Sequence, residues 1–154
     1  MIEIRADLFD PWHEVIEYQA SARHLFGKLG ATNVFVGTMR DFNDGDSVVG
    51  MVLEHYPGMT EKLLADIVDK AIRESHLLDA LVVHRVGEIK PNEPIVLVAV
   101  WASHRGDAFD AGRQIMEALK REAPFWKKER LLNGGERWVE HNTDGYLRPF
   151  DRKN

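Results

Sequence analysis

Cationic side chains recur in this chain at places where regular structure should begin or end. Arg40 closes a β-forming run, Phe35-Val36-Gly37-Thr38-Met39, in which Gly37 permits close approach of another backbone. His104-Arg105 stands at the end of an apolar run and just ahead of a helical pattern. Free backbone N–H groups and the helix dipole favour an anion there, and an arginine adds a bidentate clamp. Lys120 ends the same helical pattern, Lys127-Lys128-Glu129 follows Pro124-Phe125-Trp126, and Arg137 precedes Trp138. Ammonium and guanidinium groups beside aromatic rings suit a pocket that stacks a flat ring and neutralises phosphate or carboxylate. Each group also has a plainer explanation. Arg105 can pair with Asp107 or Asp110, Lys120 can simply face the negative end of a helix dipole, and the lysine pair can lie on a solvated strand. The set carries more weight than any member.

Composition narrows the chemistry further. The chain has 154 residues, 44% hydrophobic and 29% charged, which suits one folded domain with a sizeable core. It contains no cysteine, so disulfides, thiolate metal sites and thiol nucleophiles are excluded together. A formal charge of −5 argues against general nucleic-acid binding. The longest apolar run, Ile95 to Ala102, is far too short to cross a bilayer. The first residues turn acidic at once, unlike a signal peptide, and the expected location is the cytoplasm. Seven histidines form no H-E-x-x-H pair, and the glycines form neither a Walker A loop nor a G-x-G-x-x-G turn. No G-x-S-x-G elbow is present.

The elements that must position the cations are legible from periodicity. A strand is expected over 2–8, then a helix capped by Asp10 with Pro11 at its first position, fading near Gly27. Strands over 32–39 and 48–56 flank a polar tip with Asp44-Gly45 and read as one long hairpin. Thr60 is the expected cap of a second helix, whose apolar set is Leu63, Leu64, Ile67, Val68, Ala71 and Ile72. Strands over 80–86 and 95–103 follow, joined across residues 90–94, and a third helix runs from about Asp107 to Pro124. Two short strands, 125–131 and 136–141, close the ordered part, and residues 142–154 form a polar tail. Hairpins interspersed with helices predict an α+β domain over 1–141 with a mixed or antiparallel sheet. Read from residues alone, this is an anion-binding α+β domain with candidate lysine catalysis.

Several stretches resemble one known family. They are Phe-Val-Gly-Thr-Met-Arg at 35–40, Leu-Glu-His-Tyr-Pro-Gly-Met-Thr at 53–60, His-Arg-Val-Gly-Glu at 84–88, Ser-His-Arg at 103–105 and Leu-Lys-Arg-Glu-Ala-Pro-Phe-Trp-Lys-Lys-Glu at 119–129. In that order they are similar to the large, catalytic subunit family of molybdopterin synthase; Met39 stands where the family more often has valine. The resemblance implies an α/β hammerhead-like fold with a small additional β lobe. It implies a homodimer within a heterotetramer, with a small ubiquitin-like sulfur carrier at each end. The carrier's C-terminal Gly-Gly thiocarboxylate would deliver sulfur to cyclic pyranopterin monophosphate, with neither a metal nor an organic cofactor. Lys120 and Lys127 are then the expected catalytic residues. Thr38, Met39, Arg40, His104, Arg105, Lys128, Glu129 and Arg137 are expected at the substrate, and Phe35 and Met116 at the inserted tail. The alternative is a docking module that binds such a tail or a phosphorylated ligand without turnover. Arg105 and Lys120 lie fifteen positions apart on one expected helix, which separates their backbones by roughly 22 Å. One small ligand gripped by both therefore points to a site shared between two protomers.

Overall fold

The computed structural model describes residues 1–139. The polar tail expected over 142–154, and the last two positions of the 1–141 domain, lie outside the described residues. Strand β1 (Ile2–Arg5) leads into helix α1 (Pro11–Ser21). Asp10 caps α1 by accepting from the backbone N–H groups of Trp12 and His13, with Pro11 behind it as expected. A short 3₁₀ turn, Arg23–Leu25, precedes β2 (Ala31–Thr38), β3 (Phe42–Asn43) and β4 (Asp46–His55). Helix α2 (Met59–Glu74), β5 (Leu77–Arg85), β6 (Gly87–Ile89), β7 (Pro94–Ala102), α3 (Arg105–Glu122), β8 (Phe125–Leu131) and β9 (Glu136–Val139) complete the described chain.

Two sheets result. The first has the order β1-β5-β7-β2, with β1 parallel to β5 and the other pairs antiparallel. Its central strands are apolar at nearly every position because both faces are covered. Helices α2 and α3 press Leu64, Ile67, Val68, Ala111 and Ile115 onto Val82, Val98 and Val100. On the opposite face, Phe9 and Leu25 meet Leu81, Leu97 and Trp101. The second sheet runs β3-β4-β8-β9, with β6 also on β4, and has its own small core of Met39, Val48, Met51, Leu53 and Ile89. This is the α+β architecture, with a mixed sheet and a smaller β lobe, that the resemblance implied.

The long hairpin expected from 32–39 and 48–56 does not form. β2 pairs with β7, from Ala31 opposite Ala102 to Thr38 opposite Pro94, while β4 pairs with β8. The expected turn is real: Asp44 and Gly45 both adopt positive φ, 50° and 85°, and join strands by two residues. It returns only from the two-residue β3, however. Between them the chain crosses from one sheet to the other at Met39, whose N–H donates to the Glu93 carbonyl and whose carbonyl accepts from Asn92. β7 is buried along most of its length and needs a neighbour on each side, so β2 is taken by the larger sheet.

Smaller departures have local causes. Thr60 does not cap α2; Gly58 occupies that position and Glu61 accepts from its N–H at 2.6 Å. The buried Thr60 hydroxyl instead donates to the Tyr56 carbonyl at 2.9 Å, fastening the turn that precedes the helix. α3 starts at Arg105, two residues earlier than expected, with His104 as its cap residue.

Candidate active site

A cavity of about 570 Å³ opens at the seam between the two sheets, within the size range of small-molecule sites. Its walls come from four places: the end of β2 and the crossover (Phe35 to Arg40), the last turns of α3 (Met116, Leu119, Lys120), the inner face of β8 (Phe125, Lys127, Glu129), and Met51 and Leu53 of β4. His84, Ile95, Val96, Phe42 and Asn43 also line it.

Strand alternation decides which groups of β8 enter. Phe125, Lys127 and Glu129 turn inward, whereas Trp126 is exposed, and Lys128 pairs with Glu136 beside the ring of Trp138. Pro124 follows the end of α3, so Lys120 and Lys127 come from two elements that meet at one corner. Gly37 is required by space: a Cβ there would stand 2.8 Å from Cγ1 of Val96. Arg40 is exposed at the cavity, with its guanidinium 4.8 Å from the centre of the Phe42 ring.

Glu129 is a buried carboxylate with three polar partners. Oε1 accepts from Asn43 at 2.9 Å and lies 3.2 Å from the Lys127 ammonium, and Oε2 accepts from Arg137 at 3.0 Å. Burial alone would raise its pKa, but the Asn43 hydrogen bond and the two cations outweigh it and hold Glu129 below the usual carboxylate range. Arg137 also donates to Asp46 at 2.7 Å and to the Asn43 carbonyl at 2.9 Å. It braces Glu129, which in turn places Lys127.

Of the residues expected from sequence, Phe35, Thr38, Met39, Arg40, Met116, Lys120, Lys127 and Glu129 meet around this one cavity. Lys128 and Arg137 are not among its walls, being turned to Glu136 and to the Glu129 network. His104 and Arg105 stand at the opposite end of α3 from Lys120 and do not line the cavity of their own chain.

His84 was not expected here, although the stretch at 84–88 that it opens is one of those that carry the family resemblance. Its ring stacks on Phe125, with centroids 3.9 Å apart and planes 9° from parallel. Burial pushes its pKa down to about 4, and nearby His55 acts in the same direction; the hydrogen bond to the Arg85 carbonyl offsets this in part. Below the ordinary imidazole value of 6.5 the unfolded chain therefore takes up a proton that the folded chain refuses. This contribution to stability is full above about pH 6.5 and is lost as pH falls toward 4, by about 3 kcal/mol in all. Urea unfolding of wild type and His84→Phe, repeated from pH 7.5 to 4, should show the extra loss in wild type alone.

Among the described residues, no cluster of three or more His, Cys, Asp or Glu side chains could hold a metal ion, and no helix is long and apolar enough to cross a membrane. Fold and cavity together define a two-sheet α+β domain with a partly apolar pocket lined by Arg40, Lys120 and Lys127.

Comparison with known proteins identifies the family. Residues 11–122 match the model of the MoaE protein family. The molybdopterin synthase catalytic subunit of Ralstonia nicotianae is 58% identical over 113 residues, covering 73% of this chain and 64% of that protein. Its counterpart from Haemophilus ducreyi is 43% identical over 140 residues, covering 91% and 89%. A solved MoaE protein from Burkholderia ambifaria superposes with a TM-score of 0.76 at 48% identity, covering 94% of this chain and 92% of that one. The Helicobacter pylori complex of subunits 1 and 2 of molybdopterin-converting factor, 20% identical with a TM-score of 0.74 over 90% of each chain, shares the fold. The chain belongs to the MoaE protein family, the catalytic subunits of molybdopterin synthase.

Proposed function

We propose that this protein transfers sulfur to cyclic pyranopterin monophosphate, forming the dithiolene of molybdopterin in the cytoplasm. The sulfur comes from the C-terminal Gly-Gly thiocarboxylate of a small ubiquitin-like carrier, in two rounds. The observation that carries this reading is the convergence of Lys120 and Lys127, from two different elements, on one cavity in a member of this family. Both the thiocarboxylate and the cyclic phosphate are anions, and the cavity supplies Arg40 and the two lysines to meet them. A chain without cysteine has no sulfur nucleophile of its own, so the sulfur must arrive on another molecule, which fits delivery by a carrier. The joined subunits of the Helicobacter pylori factor support such a partner.

Lys120 is exposed where α3 ends, and in this reading it passes protons as general acid or base. Lys127, held by Glu129, stabilises negative charge that develops on the carrier's carbonyl oxygen as water attacks, the carbon–sulfur bond breaks and the sulfur stays with the pterin, leaving the carrier as a carboxylate. Phe35 and Met116 supply apolar wall for the carrier tail, whose glycines fit a channel that side chains would block. Thr38, Met39 and Arg40 hold the substrate. His104 and Arg105 complete the site from the partner protomer of a homodimer, which the length of α3 requires if they touch the same ligand.

The purified protein mixed with thiocarboxylated carrier and the cyclic pterin should yield dithiolene product. A carrier lengthened by one bulky residue after Gly-Gly should yield none. Product formed with the lengthened carrier would overturn the buried-tail arrangement, whereas carrier binding without any product would favour a docking module.

A further inference from the structure

Anionic groups on the ligands account for the cations of the cavity, but a pterin also presents N–H and amino donors along its ring edge. Those donors need acceptors when buried. Arg40, Lys120 and Lys127 only donate. Glu129 already has both oxygens engaged, by Asn43 and Lys127 on one and by Arg137 on the other.

His84 differs from all of these. Its Nδ1 stands 2.8 Å from the carbonyl oxygen of Arg85. A carbonyl can only accept, so Nδ1 carries the hydrogen and Nε2 keeps a free lone pair. Among the described residues nothing hydrogen-bonds to Nε2. His84 is 8% exposed and forms part of the cavity wall, and its ring lies flat against Phe125, so it has little room to turn. Arg85, whose carbonyl fixes the tautomer, is itself buried and donates to the Glu88 carbonyl at 2.8 Å. The arrangement holds an acceptor still in a wall that is otherwise apolar for the most part and whose cations only donate.

We propose that His84 is a specificity-determining residue of this cavity, accepting a ring N–H or amino hydrogen of the pterin on Nε2 while Phe125 and the Arg85 carbonyl hold the imidazole in place. This rests on the pterin substrate proposed above. A protonated imidazole would be one more donor, and burial keeps His84 neutral well below neutral pH. The pterin's cyclic phosphate and the carrier's thiocarboxylate have no part in the contact.

Steady-state turnover at pH 7.5, with cyclic pterin and thiocarboxylated carrier varied separately, tests the proposal. His84→Phe keeps an aromatic ring against Phe125 and removes the acceptor. It should raise KM for the pterin about tenfold, the scale of one buried donor left unpaired, with kcat and KM for the carrier within about threefold of wild type. His84→Gln can still accept through its amide oxygen and should recover most of the loss. An unchanged pterin KM in His84→Phe, or a fall in kcat alone, overturns the proposal, as does a His84→Gln variant no better than His84→Phe. Wild-type protein carrying 15N-labelled histidine makes the test independent of whether the variants fold. Its non-protonated Nε2 resonance should move upfield when cyclic pterin is added without carrier, with Nδ1 still protonated; a stationary Nε2 resonance at saturating pterin overturns the proposal. Wild type that binds the pterin yet makes no dithiolene would instead count against the sulfur-transfer reading.

Discussion

Lys120→Ala is expected to lower dithiolene formation by about a hundredfold or more, the scale on which a positioned acid or base contributes to a rate. The fold should be nearly untouched. Lys120 is exposed in the last turn of α3, where a cation contributes under ~1 kcal/mol through the helix dipole. Single-turnover measurements with saturating carrier and pterin would show whether the loss lies in the chemical step. Near-normal turnover by well-folded Lys120→Ala would remove this lysine from the mechanism.

Two inactive variants should restore each other. If Lys120 of one protomer works with Arg105 of the other, Lys120→Ala and Arg105→Ala homodimers are each defective at both sites. In a dimer formed from one chain of each kind, one site has both residues intact and the other has neither. After random subunit exchange, half of the dimers are mixed and about a quarter of wild-type activity should return. Mass spectrometry of intact dimers can verify the exchange. Activity that stays absent in verified mixed dimers would break the shared-site arrangement and leave Arg105 without a place at the substrate. The geometry behind this expectation is plain: α3 runs from Arg105 to Glu122, and only its C-terminal turns reach the cavity.

Much of this was readable before any fold was known. Asp10-Pro11 marked the start of α1 because capping and proline preference are local effects. The apolar spacing of α2 and α3 and the continuous apolar run of β7 reported burial directly. The cations at the ends of elements, together with the family resemblance, pointed to Lys120, Lys127 and Arg40, which do meet around one cavity. Periodicity and capping depend on neighbours a few positions away, so a linear chain displays them.

Partner choice between strands is not a local property. Residues 32–39 and 48–56 flank a good turn, yet the apolar β7 claims the first and β8 the second, and the crossover at Met39 opens the seam where the cavity lies. The same non-local pairing decides side-chain roles. Alternation along β8 admits Lys127 and Glu129 and turns Lys128 out, while the β8–β9 register sets Arg137 opposite Glu129 as its brace. His84 lies in a stretch that carries the resemblance but gave no signal of its role, because what makes it an acceptor comes from a ring forty-one positions away and from burial between layers. Local propensity names the elements and the charged groups they carry. Competition among strands for apolar neighbours, settled only when the whole core closes, decides which of those groups face each other.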